Sequence, residues 1–247
     1  MSHITVDTLD AVRVLRLARP EKKNALTVEM YAALHEALAA AREEAAVRVV
    51  VLTGAPGVFT AGNDLGDFLQ HPPTGEDSAV FRFLHALVEF PKPVVAAVDG
   101  PAIGIGTTLL LHCDLVVATA RAKLALPFAK LALVPEAGSS FLLPLFAGYH
   151  RAAEWLPLGE PFSGEDAHRA GLVNRLVAPE ALDDTALALA RALAALPPEA
   201  VQLSKRLLRD PLHDATLATI RREAAVFVER LQSAEARQAF QAFFARK

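Results

Sequence analysis

The chain of 247 residues lacks the features that mark several classes of protein. Its one cysteine, Cys113, excludes an intramolecular disulfide and a thiolate-rich metal site, and it fits a reducing compartment. The net charge of −3 gives no electrostatic basis for binding nucleic acid or an anionic membrane. No Gly-x-Gly-x-x-Gly or Gly-Lys-Ser/Thr sequence is present, so neither a dinucleotide-binding fingerprint nor a P-loop is indicated.

Targeting and membrane signals are also missing. Met1–Val6 has no basic segment followed by an apolar one, and the final Arg246-Lys247 is not a peroxisomal address. The apolar stretches are interrupted by Asp, Lys, His or Gly, so we expect no membrane span. The histidines show no paired spacing for metal ligands, so we expect no metal site. We therefore expect a cytoplasmic protein.

Hydrophobic residues make up 53% of the chain, which is enough for a large core. In the first two thirds, short β-branched runs that predict strands alternate with segments of helical spacing. The predicted strands are 3–7, 11–17, 47–52, 93–98 and 115–118. The helices between them include one capped by Thr27 and two near 78–89 and 104–112. This alternation predicts an α/β fold with a largely parallel sheet.

Beyond about residue 145 the sequence becomes rich in Ala and Leu, with Arg and Glu at exposed helical positions. The predicted helices are 149–157, 180–195, 198–209 and 212–244, with a short extended piece at 172–177. We predict a core over 1–190 and a C-terminal helical region over 191–247. The spacing of Phe240, Phe243 and Phe244 favours core or subunit-interface positions over a ligand site.

Two glycine-containing segments each follow a predicted strand and lead into a helix. Thr60–Leu65 contains Gly62, and 99–106 contains three glycines. Small residues let a ligand approach the backbone, and free N–H groups at a helix N-terminus stabilise negative charge. Taken singly, each segment is more typical of a tight turn. Taken together, they resemble the two halves of an oxyanion hole.

Glu136 is the candidate acid/base. It lies in Leu133–Ser140, between an apolar stretch and a predicted helix, where partial burial raises the pKa of a carboxyl toward the range useful for proton transfer. By pattern alone, an acid that stabilises a helix N-terminus is the alternative. We expect Asp64 to be a helix cap and His112 and Cys113 to be core residues.

An ordered set of segments resembles the crotonase (enoyl-CoA hydratase/isomerase) superfamily over nearly the whole chain. The segments are Arg19–Leu26, Phe59–Leu65, Gly100–Gly106, Cys113-Asp114 and Ala170–Val173. The resemblance implies a spiral of ββα turns with a C-terminal helical trimerisation region, and a homotrimer or a dimer of trimers. It also implies an acyl-CoA thioester substrate, whose coenzyme A is part of the substrate and not a separate cofactor.

The resemblance also assigns roles to residues. It makes the backbone N–H groups of Asn63 and Ile105 the oxyanion donors; many relatives have glycine at the second position. The substrate-binding positions that it implies are Lys23, Ala25, Ala61, Gly62, Asp64, Leu65, Gly104 and Phe128. By pattern, Lys22 and Lys23 are more typical of ordinary solvated charges; the alternative is contact with the phosphates of coenzyme A, since this loop borders the nucleotide in relatives.

The carboxylates that the sequence has, and those that it lacks, indicate the reaction. Hydratases of this family use two glutamates, at positions that here are Thr108 and Phe128. Water addition needs one group to activate water and another to deliver a proton, so hydration is disfavoured. Pro-Glu-x-x-Ser at Glu136 resembles the Δ3,Δ2-enoyl-CoA isomerase branch, in which a single glutamate shuttles one proton. We predict that activity. The alternatives are a hydratase or other crotonase-type thioester reaction, and a catalytically silent acyl-CoA-binding paralogue.

Overall fold

A computed structural model describes residues 3–75 and 77–245. The strands are β1 Ile4–Leu9, β2 Val12–Leu17, β3 Val49–Thr53, β4 Val94–Val98, β5 Pro101–Ile103, β6 Leu115–Thr119, β7 Lys123–Ala125, β8 Phe162–Ser163 and β9 Arg175–Val177. The helices are α1 Val28–Glu43, α2 Leu65–Gln70, α3 Ala79–Val88, α4 Ile105–Thr108, α5 Ser139–Ala147, α6 Tyr149–Leu158, α7 Gly164–Arg169, α8 Leu182–Ala194, α9 Pro198–Leu231 and α10 Ala234–Phe244.

The strands form two sheets. The larger has the order β1-β2-β3-β4-β6-β9, and all its pairs are parallel except β1–β2. The smaller has the order β5-β7-β8. The prediction of an α/β fold with a largely parallel sheet is confirmed. Every residue of β3 and β4 is buried, which explains why these strands are continuous apolar runs without polar alternation.

The chain changes sheets between β4 and β5, and this step brings β5 toward the candidate site. Gly100 makes the step with a φ of 64°, and a Cβ there would lie 1.9 Å from the carbonyl oxygen of Gly57. Only glycine fits such a close approach of two backbones. Asp99 fixes the step because its carboxylate accepts hydrogen bonds from the Arg121 guanidinium, the Thr119 hydroxyl and the Gly57 N–H.

The two faces of the larger sheet are covered differently. Helix α8 lies on one face, where Ala186 and Ala190 pack against valines of the sheet in a thin apolar layer. The other face belongs to the main core, which includes Tyr31 and Leu34 of α1 and Phe83 of α3. Helix α1 begins as predicted, with the Thr27 hydroxyl accepting a hydrogen bond from the Met30 N–H. The functional segments described below lie at the main core.

The C-terminal region is helical as predicted, but the predicted break near residue 211 is wrong, and the predicted helix 212–244 is divided at 232–233. Helix α9 runs through Pro211 without interruption and ends at Leu231. Proline removes the hydrogen bond to the carbonyl of Leu207, but Leu207 is 69% exposed, so water can replace the donor. Buried residues on both sides of the proline, Lys205 before it and Ile220 after it, anchor the two halves to the same core.

The division of the chain at residue 190 stays a prediction. Residue 190 lies inside α8, and the linker to α9 is 195–197. Among the helices of the described residues, none is at once long and apolar enough to cross a bilayer.

Candidate active site

Glu136 lies in an irregular segment that leads into α5. The two residues after it, Ala137 with φ 59° and Gly138 with φ 73°, are both left-handed. This conformation is unfavourable for alanine and persists only where the surroundings hold it. The turn directs Glu136 inward, and the residue is only 9% exposed.

Glu136 meets the fully buried Thr108 of α4, with 2.5 Å between Thr108 Oγ1 and Glu136 Oε1. The position that carries a glutamate in hydratases therefore holds a hydroxyl that contacts the candidate acid/base. Burial raises the pKa of Glu136 to about 8, the hydrogen bond from Thr108 acts against this rise, and the charge of Glu223 adds to it. A carboxyl with this pKa can both release and accept a proton near neutral pH.

The first donor segment is held in an extended conformation against Leu26. The Leu26 N–H donates to the carbonyl of Gly62, and the Asp64 N–H donates to the carbonyl of Leu26, both at 2.8 Å. Because successive peptide N–H groups of an extended chain point to opposite sides, the N–H of Asn63 points away from Leu26. It has no hydrogen-bond acceptor within 3–75 or 77–245.

The second donor segment is the start of α4. Gly104, with φ 56°, turns the chain after β5, and its own N–H donates to the carbonyl of Ala125. Ile105 is the first residue of α4, so its N–H has no intrahelical acceptor, and no other acceptor occurs in the described part of the chain. The Ile105 side chain lies in the main core.

The two segments lie side by side. Thr60 bridges Ala102 of β5, with the Ile103 N–H donating to the Thr60 carbonyl at 3.0 Å. At Gly62, whose φ is 88°, a Cβ would lie 2.8 Å from the carbonyl oxygen of Ile103. Glycine is therefore needed at position 62 for two reasons: the backbone has a positive φ, and the two segments are too close to leave room for a Cβ. The predicted pairing of the two donor segments agrees with this arrangement.

Tyr31 is a residue of the site that the sequence did not indicate. Its hydroxyl donates to Asn63 Oδ1 at 2.5 Å, and the ring is buried in the main core. Burial, and after it the charge of Glu136, raises the pKa of Tyr31 well above its usual value. Tyr31 therefore lies close enough to Glu136 for the charge of the carboxyl to affect its pKa, and its hydroxyl binds the side chain of Asn63. In the sequence it is one more large residue on the buried face of α1.

A cavity of about 620 Å³ borders the first donor segment. Its walls are Glu21, Lys22, Lys23, Ala25, Ala61, Asn63, Asp64, Leu65, Gly66, Phe243 and Phe244. The structure thus brings together six of the residues predicted for the site. Phe240 is buried as expected of a core residue, whereas Phe243 and Phe244 are exposed and line this cavity instead of lying in the core.

Asp64 has a structural role in addition to lining the cavity, and two other predicted residues, Phe128 and Gly104, are not among the residues that line it. Asp64 caps α2, as predicted, by accepting from the N–H groups of Gly66 and Asp67, and it also pairs with Arg19 at 2.8 Å. Burial acts to raise the pKa of Asp64, but these hydrogen bonds outweigh it and lower the pKa. Phe128 is buried in the main core, and Gly104 shapes the turn described above.

His112 is buried, as predicted for a core residue, but it also supports the Glu136 segment. Its Nε2 donates to the carbonyl of Ala137 at 2.7 Å. Burial lowers the pKa of His112 to about 4, so the imidazole is neutral at pH 7. Burial raises the pKa of its neighbour Cys113 to about 12, which makes that thiol unreactive.

A larger cavity, of about 770 Å³, lies between α3 and α9. Its charged residues include Lys205, which pairs with Asp114, and Arg206, which pairs with Asp210. Neither Glu136 nor either donor segment borders it. Of the two cavities, the smaller is the one that touches a donor segment, through Ala61 and Asn63, so we take it as the candidate binding cavity.

Comparisons with known proteins agree with this geometry. Residues 7–247 match the enoyl-CoA hydratase/isomerase family. The 1,2-epoxyphenylacetyl-CoA isomerase of Escherichia coli is 41% identical over 203 residues, which are 79% of this chain and 77% of that protein. Human enoyl-CoA delta isomerase 2 is 34% identical over 99% of this chain, which spans only 64% of the human protein.

Solved structures give the fold. OdaA of Pseudomonas aeruginosa superposes with a TM-score of 0.96 at 48% identity, covering 98% of this chain and 99% of that one. An enoyl-CoA hydratase/isomerase from Pseudoalteromonas atlantica gives 0.95 at 41% identity, covering 100% and 98%. The sequence resemblance and the crotonase-type fold are thereby confirmed, and the chain belongs to the enoyl-CoA hydratase/isomerase family of enzymes.

Proposed function

We propose that the protein is a Δ3,Δ2-enoyl-CoA isomerase with Glu136 as its acid/base. One observation carries the proposal: Glu136 is a buried carboxyl of pKa about 8 that faces the hydroxyl of Thr108 and not a second carboxylate. A group of this kind can take a proton and return it to the same molecule. The names of the human and E. coli relatives also describe isomerases of CoA thioesters.

The proposed reaction moves one proton within the acyl chain. The Glu136 carboxylate removes a proton from C2 of a 3-enoyl thioester, and the electron pair of that C–H bond forms an enolate. The N–H groups of Asn63 and Ile105 stabilise the enolate oxygen. Glu136 then delivers the same proton to C4 as the double bond forms between C2 and C3. Losing one such donor typically costs about 2.7–4 kcal/mol in the barrier.

Substrate binding is proposed at the 620 Å³ cavity. Lys22 and Lys23 supply positive charge for phosphates, and Phe243 and Phe244 supply aromatic faces on which a purine can stack. Coenzyme A would enter as part of the substrate, with no separate cofactor. Exposed Leu203, Leu207 and Leu208 on α9 support a second proposal, that the C-terminal helices join copies of the chain into a trimer or a dimer of trimers.

Two other reactions remain as second candidates. The 41% identity to the 1,2-epoxyphenylacetyl-CoA isomerase favours an isomerisation of an epoxide thioester. A 2,3-dehydroadipyl-CoA hydratase from E. coli is 33% identical over 92% of the chain, which favours hydration. Hydration is the weaker of the two because neither Thr108 nor Phe128 can act as the second acid/base.

The test is Glu136→Gln, which keeps the shape of the side chain and removes its proton transfer. Turnover of 3-enoyl-CoA should fall by about 10³-fold or more while acyl-CoA still binds. Glu229→Gln, at an exposed position of α9, is the matched control and should turn over normally. An active Glu136→Gln enzyme would refute the assignment. Rapid formation of 3-hydroxyacyl-CoA from 2-enoyl-CoA by the wild type would favour the hydratase.

A further inference from the structure

We propose that Glu223, on the C-terminal helix α9, is a positioning residue for Glu136. The inference rests on the proposed function, in which Glu136 carries the proton. Glu223 lies 87 positions beyond Glu136 in the sequence, yet its carboxylate ends on the segment that aims Glu136 at Thr108. Nothing in the hydrophobic pattern of α9 separates it from the exposed glutamates of the same helix.

Glu223 binds Gly138 and Ser140, just after Glu136, through three hydrogen bonds, which we call the clamp. Glu223 Oε2 accepts a hydrogen bond from the Gly138 N–H at 2.6 Å. Glu223 Oε1 accepts two more, from the N–H of Ser140 at 2.9 Å and from its hydroxyl at 2.5 Å. Because Glu223 is only 7% exposed, these bonds are shielded from water. Charge-assisted bonds of this kind are stronger than bonds between neutral groups.

The segment needs such a partner for two reasons. Helix α5 has Gly138 at its N-cap position, so no local side chain pairs with its first N–H groups. The left-handed conformation of Ala137 is also unfavourable for a residue with a Cβ. Glu223 replaces the missing cap from another helix, and a carboxylate at this end also stabilises the helix dipole. His112 holds the other side of the turn through the Ala137 carbonyl.

Glu223 also acts on Glu136 through charge. After burial, the charge of Glu223 is what raises the pKa of Glu136 further. Among the described residues, the ionisable groups near the two carboxyls include Tyr31 on α1, the neutral His112 and Arg222 on α9, and burial raises the pKa of Glu223 itself. Removing the charge of Glu223 should therefore make Glu136 more acidic, in addition to loosening its segment.

The test is Glu223→Gln, because the amide has one acceptor oxygen where the carboxylate receives three bonds. We expect kcat to fall about 10- to 100-fold with KM within about 3-fold, the size of effect seen when a group that orients a reacting side chain is lost. The acidic limb of the kcat profile should move to lower pH. Glu229→Gln should leave all three quantities unchanged. A purely structural role for Glu223 would lower the yield or Tm of folded protein without moving the pH profile.

A second readout does not depend on turnover. In protein labelled with ¹³C at the glutamate carboxyls, the signal that Glu136→Gln removes belongs to Glu136, and its midpoint should lie lower in Glu223→Gln than in the wild type. An unmoved midpoint together with unchanged kcat would overturn the proposal. If the wild type isomerises no 3-enoyl-CoA, the proposed function fails, and the titration still tests the clamp.

Ser140→Ala serves if Glu223→Gln does not fold. It removes one of the three donors and keeps the carboxylate, so we expect a smaller fall in kcat, about 2- to 5-fold, with the pH profile unmoved. Full activity in Ser140→Ala, combined with an unfolded Glu223→Gln, would limit Glu223 to a role in stability and would refute positioning.

Discussion

The α/β core and the C-terminal helices support the candidate site in different ways. The core holds Asn63 and Ile105 almost entirely through backbone hydrogen bonds and glycine turns, as at Leu26 and Gly104. Helix α9 exposes several leucines and contains an internal proline, yet it reaches the core through long charged side chains. The proposed donors are thus fixed by local backbone geometry, whereas Glu136, the proposed acid/base, also depends on a side chain that arrives from a distant part of the chain.

Four charged side chains of α9 end on irregular segments of the core. They are Lys205, Arg209, Glu223 and Arg230. Their partners lie at Lys92, at 112–114, at Ala132 and at 138–140, and of these Gly138 and Ser140 directly follow Glu136 in the chain. The C-terminal region therefore stabilises the candidate site directly, in addition to any role in joining subunits. Three predictions test this contrast, from the largest expected effect to the smallest.

The largest effect is expected from Gly62→Ala in the core. The added Cβ would lie 2.8 Å from the Ile103 carbonyl oxygen at a φ of 88°, so the backbone must move and displace the Asn63 N–H. If that donor is lost, turnover of 3-enoyl-CoA should fall about 10²- to 10³-fold. Gly75→Ala, where a Cβ meets nothing within 4 Å, is the matched control. Equal kcat in the two variants would show that the Asn63 N–H is not a donor.

A smaller effect is expected from Lys205→Met in α9. Lys205 is buried and donates to Asp114 and to the Lys92 carbonyl, so its loss removes one partner of Asp114 and the side-chain donor to Lys92. Asp114 keeps Arg209, at 3.0 Å, which limits the damage to about 2 kcal/mol in the free energy of unfolding. Denaturant unfolding measures this loss of stability. Arg206→Met, at a side chain that is 67% exposed, should cost almost nothing. Similar losses in both would remove the distinction between buried and exposed charges on α9.

The smallest of the three effects is the pH dependence of the stability difference between Glu136→Gln and the wild type. Burial raises the pKa of Glu136 from 4.5 to about 8, so the folded protein favours the protonated carboxyl. Glu136 therefore costs no stability below pH 4.5, and its cost grows as the pH rises toward 8. At pH 9, Glu136→Gln should be more stable than the wild type by about 1–2 kcal/mol. The difference is limited to this size because the segment that carries an ionised Glu136 can open to water. Near pH 5 the two proteins should be similarly stable. Thermal unfolding at both pH values measures this. A pH-independent difference would contradict the raised pKa.

The sequence predicts those parts of the molecule that local pattern determines. The buried strands, the Thr27 cap, the Asp64 cap and the two glycine turns follow from periodicity and from residue chemistry over a few positions. Family resemblance adds Asn63 and Ile105 as candidates and supports Glu136, which its own sequence context already indicates, because these motifs are short and continuous.

The remaining features depend on contacts between distant residues. Tyr31 and Glu223 reach their partners across 32 and 85 positions, and in the sequence each is an ordinary helical residue. The continuity of α9 through Pro211 depends on tertiary anchors and an exposed carbonyl, which outweigh a strong local preference for a break. Phe243 and Phe244 face a cavity only because α10 folds back toward the segment at Glu21–Ala25.

The short contact between Thr108 and Glu136 limits how this site can change in evolution. A glutamate at position 108 would introduce a second carboxyl at hydrogen-bonding distance from Glu136. Two carboxyls at such a short distance share a single proton, because both cannot ionise together. A single replacement that restores the hydratase residue would therefore give a coupled pair that titrates as one unit. Such a pair would still differ from the pair of carboxylates in hydratases, because the second hydratase position holds Phe128 in this chain.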